Sequence, residues 1–261
     1  MNEAKAGTAH AAAPIVRHIG TRIRLAAAFL TILPVAPSAQ ADSADVAASF
    51  GWFPFVGFLI GAALCVIDRA LAPVLNPPLR SMIVIAALAA VTGAVHLDGL
   101  ADAADALSAG RDRARALEIL RDSRIGSFGA TALIFILTLK MAALATAEPA
   151  NRDAALMLAP GLGRWAMVAV ARGRDYLRPG GAGAGLLAQE NGRNLRVATI
   201  IALIGVAIFA ARHALAAIIV AAMSVWALRA LYRRWLGGVT GDLIGAAGEI
   251  VETAVLIALS R

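Results

Sequence analysis

The sequence predicts an all-α integral membrane protein, on three observations: an apolar excess, apolar runs of near-spanning length, and arginines gathered between those runs. Hydrophobic residues make up 60% of the 261 residues and charged residues 16%, against about 45–50% and about 25% in soluble domains. The same excess rules out a disordered chain, which needs low hydrophobicity. Cys65 is the single cysteine, so an internal disulfide framework, a zinc ribbon and an iron–sulfur centre are all excluded. A net charge of +7 would suggest nucleic acid in a soluble protein. Here the arginines lie mostly between apolar runs, where membrane topology accounts for them, and no nucleic-acid partner is expected.

A membrane helix needs about 20 predominantly apolar residues. The first apolar stretch, Leu25–Leu33, follows Arg17, Arg22 and Arg24 and ends at Pro34. It is too brief to cross and is expected to form a short N-terminal interfacial or re-entrant helix. A bundle of about seven spans follows: Gly51–Ile67, Arg80–Val95, Ser127–Ala147, Ala154–Ala171, Val197–Ala211, Ala214–Leu231 and Gly241–Leu259. Residues 1–261 then form a single polytopic membrane domain with two long loops, 97–126 and 172–196. The N-terminus, both loops and Arg229, Arg233 and Arg234 bring seventeen lysines and arginines to one side, while the other side holds five. By the positive-inside rule the richer side is cytoplasmic, so the working face is expected to look into the cytoplasm from a bacterial inner membrane. The absence of a clear internal repeat argues against transporters built from inverted repeats.

After the second span comes His96-Leu97-Asp98-Gly99-Leu100-Ala101-Asp102, with Asp105 three residues on. Asp98, Asp102 and Asp105 share one helical face, and like charges at that spacing repel by about 0.2–0.5 kcal/mol per pair. A bound cation would reverse the sign, and oxygen-only ligands suit a hard ion such as Mg²⁺. Three acids among Ala and Leu favour a site over a solvated helix end; His96 is an acid–base candidate or a histidine satisfied by backbone. The last span places Asp242, Glu249 and Glu252 along one helix, Glu252 roughly 15 Å from Asp242. Acids at membrane depth are costly and point to function. These six acids are expected to converge, with Asp98, Asp102, Asp105, Glu249, Glu252 and His96 in catalysis. Asp98, Asp102, Asp105, Asp122, Asp242 and Glu249 are the metal-ligand candidates.

In the first loop, Arg121 and Arg124 could clamp a phosphate, with Asp122 as metal ligand or arginine partner. Arg111, Arg113 and Arg115 are expected to be ordinary surface charge. Arg164 sits mid-span and needs either a partner across the bundle or a substrate phosphate. Lys140 is expected to snorkel outward along its stem. The glycine-rich run from Pro179 to Gly185 lacks a following Lys-Ser/Thr and is no P-loop. Carboxylates and arginines on one side are the chemistry of metal-assisted phosphoryl transfer.

Several of these segments form a recognisable set. Phe29-Leu30-Thr31-Ile32-Leu33-Pro34-Val35, Gly51-Trp52-Phe53-Pro54-Phe55-Val56-Gly57, His96-Leu97-Asp98-Gly99-Leu100-Ala101-Asp102, Asp122-Ser123-Arg124-Ile125-Gly126, Gly163-Arg164-Trp165 and Thr240-Gly241-Asp242 resemble the cobalamin (vitamin B12) synthase family, in family order over nearly the whole chain. The resemblance implies a Mg²⁺-dependent adenosylcobinamide-GDP ribazoletransferase, joining adenosylcobinamide-GDP to α-ribazole or its 5′-phosphate with release of GMP. Gly248 departs from the family, which commonly carries an amide side chain there, and Ala103 stands where a small polar residue is usual. A CDP-alcohol phosphotransferase is the nearest rival, but its Asp-Gly-x-x-Ala-Arg signature is missing, since Asp98-Gly99 runs on into Leu100-Ala101-Asp102. A cation-coupled transporter with intramembrane acids is the rival from another class. The sequence leaves a homo-oligomer open.

Overall fold

The computed structural model describes residues 18–35, 42–122, 124–178, 184, 192–209 and 214–260. The described part of α1 covers residues 18–30, so the short N-terminal stretch is helical, and its exit is tied down where Ile32 N–H donates to the Val91 carbonyl at 2.9 Å. Helix α2 (Ser43–Ser49) starts on an Asp42 cap and leads through a 3₁₀ turn into α3 (Phe53–Leu71). Asn76 caps α4 (Pro77–Val91), whose two leading prolines occupy positions where no N–H is missed. Helices α5 (Val95–Leu107), α6 (Arg113–Ile119), α7 (Ser127–Thr146), α8 (Pro149–Ala171), α9 (Arg193–Phe209), α10 (Ala214–Trp235) and α11 (Gly241–Leu259) complete the described bundle.

Each of the seven expected spans falls on a helix, but their standing as spans differs. Among the described residues, four helical stretches are long and apolar enough to cross a membrane: Ser43–Leu71, Ser127–Thr146, Pro149–Ala171 and Leu215–Trp235. A fifth is counted if α4 and α5, bent by 90° at their junction, make one broken span. The described part of α9 covers 17 residues, and α11 carries the three acids that lower its apolarity. The bend was not anticipated from sequence. It is made by two successive left-handed residues, Gly93 (φ 63°) and Ala94 (φ 56°), a conformation that costs an alanine roughly 1–2 kcal/mol.

Burial separates centre from rim. In the apolar stretch of α8, 83% is buried, against 22% in α7 and 28% in α10, so α8 is enclosed while α7 and α10 turn apolar side chains outward. Small residues let the central helices meet at backbone distance. A Cβ at Gly57 of α3 would come within 2.8 Å of the Gly161 Cα of α8, and one at Gly163 within 2.9 Å of the Gly248 carbonyl of α11. Gly248 itself packs against Met167, whose Cγ would lie 3.0 Å from an added Cβ. An amide side chain would not fit here without a shift of that methionine.

At the end of the bundle remote from the long loops, the Arg152 guanidinium grips Asp68 through Nε at 2.9 Å and Nη2 at 2.7 Å, and Arg80 adds a contact of 3.1 Å. Ser81 and the Leu144 carbonyl take further Arg152 donors. Of the five positive residues expected on the outer side, Arg152 is therefore buried and Arg80 half-buried in a clamp that joins α3, α4, α7 and α8.

Candidate active site

The end bearing the long loops is organised by the crossing of α5 and α11. Gly99 permits it: a Cβ there would lie 2.9 Å from both the Cα and the carbonyl oxygen of Asp242. The crossing puts Asp98 and Asp102 of α5 beside Asp242 in the first turn of α11, where Thr240 caps the helix. Asp98 is exposed and Asp102 and Asp242 are half-buried. Asp102 feels the negative charges of Asp98, Asp242 and Asp105, and a single positive one, Arg178.

Arg178 reaches this mouth through backbone pairing. After α8, the chain turns at Gly173 (φ 63°) and runs extended beside the residues before α11. Leu177 N–H donates to the Val239 carbonyl and Val239 N–H to the Asp175 carbonyl, both at 2.9 Å. The pairing leaves the Arg178 guanidinium 3.7 Å from Asp242 Oδ2. Sequence reasoning did not single out Arg178; the signal available was its place in an arginine-rich loop, directly before a glycine run.

Six acids were expected to converge, and the structure separates them. Asp105 stands apart from the mouth group: Oδ2 accepts the Gly126 N–H at 2.7 Å and Oδ1 accepts the Gly129 N–H at 2.9 Å. Helix α7 has no side-chain cap of its own, because its cap residue is Gly126. Asp105 supplies the cap from α5 and ties the 124–126 loop to the carboxylate helix. Both glycines are required, since a Cβ at either would collide with that carboxylate. With each oxygen engaged by a backbone donor, Asp105 caps α7 instead of standing as a free carboxylate. Asp122 is spent on Arg124, whose Nη2 donates to Oδ2 at 2.7 Å and whose Nε and backbone N–H donate to Oδ1. Those bonds hold the Asp122 carboxyl down at about 2. Arg124 keeps its exposed fork at the rim, 87% of its side chain accessible. Arg121 is exposed at the end of α6.

Glu249 and Glu252 belong to a second, interior group. Lys140 of α7 donates to both, through Glu249 Oε2 and Glu252 Oε1, and Arg164 Nη1 of α8 donates to Glu252 Oε2. The expectation that Lys140 snorkels outward is corrected: it is 2% exposed, because two carboxylates on a neighbouring helix offer a better partner than distant water. Arg164 has the partner across the bundle that its position called for, while its Nε and Nη2 stay buried without one. His96 is buried and packs against α11, its Cα 3.3 Å from where a Gly245 Cβ would lie. The mouth and interior groups are therefore distinct.

No group of three His, Cys, Asp or Glu side chains among the described residues is placed to enclose a metal ion. An all-protein cage is not what Mg²⁺ requires, however. It is usually held by one or two carboxylates, water and substrate phosphates, and Asp98, Asp102 and Asp242 supply carboxylates of that kind at an open mouth.

Comparison with known proteins supplies the chemistry. The family model described as cobalamin-5-phosphate synthase matches residues 22–260. An adenosylcobinamide-GDP ribazoletransferase of Syntrophobacter fumaroxidans is 39% identical over 244 residues, covering 92% of this chain and 97% of the relative. Proteins of the same name from Stutzerimonas stutzeri and Desulforamulus reducens are 40% and 36% identical, over 90% of this chain and 96% and 94% of their own lengths. No solved structure matches.

Proposed function

The chain belongs to the cobalamin-5-phosphate synthase family, and we propose that it performs the reaction for which its relatives are named, at the mouth where α5 crosses α11. It transfers the phosphoryl-linked adenosylcobinamide of adenosylcobinamide-GDP to a ribose hydroxyl of α-ribazole or its 5′-phosphate. One phosphoanhydride P–O bond breaks and GMP leaves. One P–O ester bond forms to the hydroxyl oxygen, and the hydroxyl proton is released. A CDP-alcohol phosphotransferase or a cation-coupled transporter is not favoured by this membership.

The observation that carries the mechanism is the unbalanced charge of the mouth, where, among the described residues, three carboxylates face Arg178. One or two of the mouth carboxylates, drawn from Asp98, Asp102 and Asp242, would hold Mg²⁺ together with the substrate pyrophosphate, and the ion would supply charge neutralisation for the transferred phosphoryl group and for departing GMP. Arg178 and Arg124 meet phosphate oxygens as charged forks. Asp122 keeps the Arg124 fork oriented, and the Asp105 cap keeps the Arg124 loop against α5. Lys140, Glu249, Glu252 and Arg164 set the relative position of α7, α8 and α11, on which the crossing depends.

The mouth lies at the same end as the arginine-rich loops, which supports a cytoplasmic active site in the inner membrane and a cytoplasmic N-terminus. Purified protein given adenosylcobinamide-GDP, α-ribazole and Mg²⁺ should release GMP, and omission of either the nucleoside or the metal should stop release. GMP formation that ignores the nucleoside would mean a hydrolase and refute the transfer.

A further inference from the structure

Two cavities flank the loop that Asp105 ties down, and Ile125 lines both. The larger, about 380 Å³, is polar, with Asp105, Ser108, Asp122 and Arg124 around it. The smaller, about 250 Å³, lies between α5 and α7 and has a different character. Its walls are Leu97, Ile125, Leu133 and Leu137, and its polar side chains are Asp98 and Asp102 of the mouth.

Size decides first. Pockets for drug-sized ligands run roughly 300–1,000 Å³, so a 250 Å³ cavity admits one ring system of modest size and excludes a corrinoid. Charge decides next. Its lining among the described residues holds no cation to take a phosphate, while Asp98 and Asp102 accept hydrogen bonds from hydroxyl groups. The fitting occupant has a flat apolar ring and carries hydroxyl donors, which describes a benzimidazole nucleoside and does not describe the guanosine diphosphate half of the other substrate.

The cavity is also built before any ligand arrives. Ala94, in its left-handed conformation at the α4–α5 bend, is part of its lining. Strain of this kind persists where the surrounding structure over-determines it and clusters at binding sites. On the opposite side, the Asp105 bonds to Gly126 and Gly129 fix the segment that carries Ile125.

We propose that the α5–α7 cavity is the acceptor subsite. The benzimidazole ring lies between Leu97, Ile125, Leu133 and Leu137, and the ribose hydroxyls face Asp98 and Asp102. Leu133 and Leu137 are then specificity-determining residues for the base. A 5′-phosphate on the nucleoside would lie outside the cavity, toward the Arg124 rim, so both forms of the acceptor use the same walls. This assignment rests on the ribazoletransferase reading given above.

Leu137→Trp and Leu137→Ala test it from opposite directions. Leu137 is half-buried on the outward-turned α7, where neither change disturbs the central packing. Equilibrium dialysis of α-ribazole alone, without metal or corrinoid, should show binding to Leu137→Trp weakened by about tenfold or more, as overpacking of a filled site does. In turnover the KM for the nucleoside should rise while that for adenosylcobinamide-GDP stays near the unsubstituted value. Leu137→Ala should shift kcat/KM toward a bulkier naphthimidazole riboside relative to α-ribazole. Unchanged nucleoside affinity in Leu137→Trp, or equal losses for both substrates, would overturn the subsite. Should Leu137→Trp not fold, an unchanged base preference in Leu137→Ala overturns it alone. If the unsubstituted protein neither binds α-ribazole nor releases GMP, the ribazoletransferase reading fails and the subsite with it. Activity with normal binding in Leu137→Trp sinks the subsite only.

Discussion

Helix α11 carries two acidic regions roughly 15 Å apart along its axis, and they are treated oppositely. In the interior, Glu249 and Glu252 face Lys140 and Arg164, two negative charges against two positive ones, joined by direct hydrogen bonds. At the mouth, Asp242 faces Asp98 and Asp102, and the nearest cation is Arg178 at 3.7 Å. The same residue types on the same helix are balanced in one place and left in excess in the other. Burial explains the first case, because an isolated charge inside the bundle costs several kcal/mol. At the accessible mouth that penalty is smaller, and an uncompensated group of carboxylates can persist until a cation arrives. On the function proposed above, the balanced charge is scaffold and the unbalanced charge is where substrate and metal bind.

The sharpest way to break this comparison is to unbalance the interior. Lys140→Met leaves Glu249 and Glu252 with Arg164 alone, and removing one partner of a buried pair typically destabilises by about 3–5 kcal/mol. The variant should lose most of its folded population in detergent, read by size exclusion and thermal unfolding. Adding Glu249→Gln should recover part of the loss by removing the stranded charge. If Lys140→Met folds like the parent and loses only turnover, the interior is machinery and the division drawn between the regions is wrong.

The converse experiment balances the mouth. Asp98→Asn, Asp102→Asn and Asp242→Asn each preserve shape and remove one negative charge. Turnover should fall by about two orders of magnitude or more, in keeping with the loss of a preorganised electrostatic group, and the Mg²⁺ concentration needed for half-maximal rate should rise. The melting temperature should hold or rise slightly, since like-charge repulsion between helical neighbours costs about 0.2–0.5 kcal/mol per pair. A fall in stability comparable to that of Lys140→Met would erase the contrast.

How legible this was in the sequence depends on the distance over which each residue acts. Helices were visible because apolar runs are local, and Asp98 with Asp102 was visible because a helical face is local. The pairings were not. Lys140 lies 109 residues from Glu249, and nothing on its own helix tells that a carboxylate waits across the bundle, so outward snorkelling was the natural expectation. Asp105 shows the same limit more finely. It shares a face with Asp98 and Asp102 in the pattern, yet α7 presents it with two backbone donors and removes it from the group. The 90° bend at Gly93-Ala94 was hidden because an alanine gives no signal of a left-handed conformation. The pattern of carboxylates and arginines pointed to phosphoryl transfer, whereas motif identity alone carried the substrates, which no local physical pattern could.

The crossing itself can be tested with a smaller change. Gly99→Ala adds one Cβ within 2.9 Å of the Asp242 Cα, and the backbone on the other side cannot rotate away. Overpacking of this kind costs about 1–3 kcal/mol, so the melting temperature should fall by a few degrees. Turnover should fall further than stability does, because the same displacement separates Asp98 and Asp102 from Asp242. Circular dichroism melts beside the Mg²⁺ dependence of GMP release would show both effects. Loss of stability with an unchanged metal requirement would place the crossing in the scaffold only.

The smallest effect on folding is expected from Arg178→Gln, and it isolates what Arg178 does at the mouth. Arg178 is 45% exposed in its side chain and meets Asp242 at 3.7 Å without a direct hydrogen bond, a geometry that contributes about 0–1 kcal/mol to stability. Thermal unfolding should therefore barely change. A guanidinium that meets a substrate phosphate is a different matter, since a hydrogen bond to a charged group is worth about 1.5–3 kcal/mol. The KM for adenosylcobinamide-GDP should rise by about tenfold or more on that figure, whereas the KM for the uncharged nucleoside should stay close to its starting value. Raising ionic strength should narrow the gap between Arg178→Gln and the parent, because screening weakens the exposed charge that the variant lacks. If the substitution instead lowers the Mg²⁺ requirement and leaves both KM values alone, Arg178 acts as a stand-in counter-charge for Asp242 when the metal is away. The mouth would then be partly balanced by its own chain, and the contrast with the interior would be one of degree.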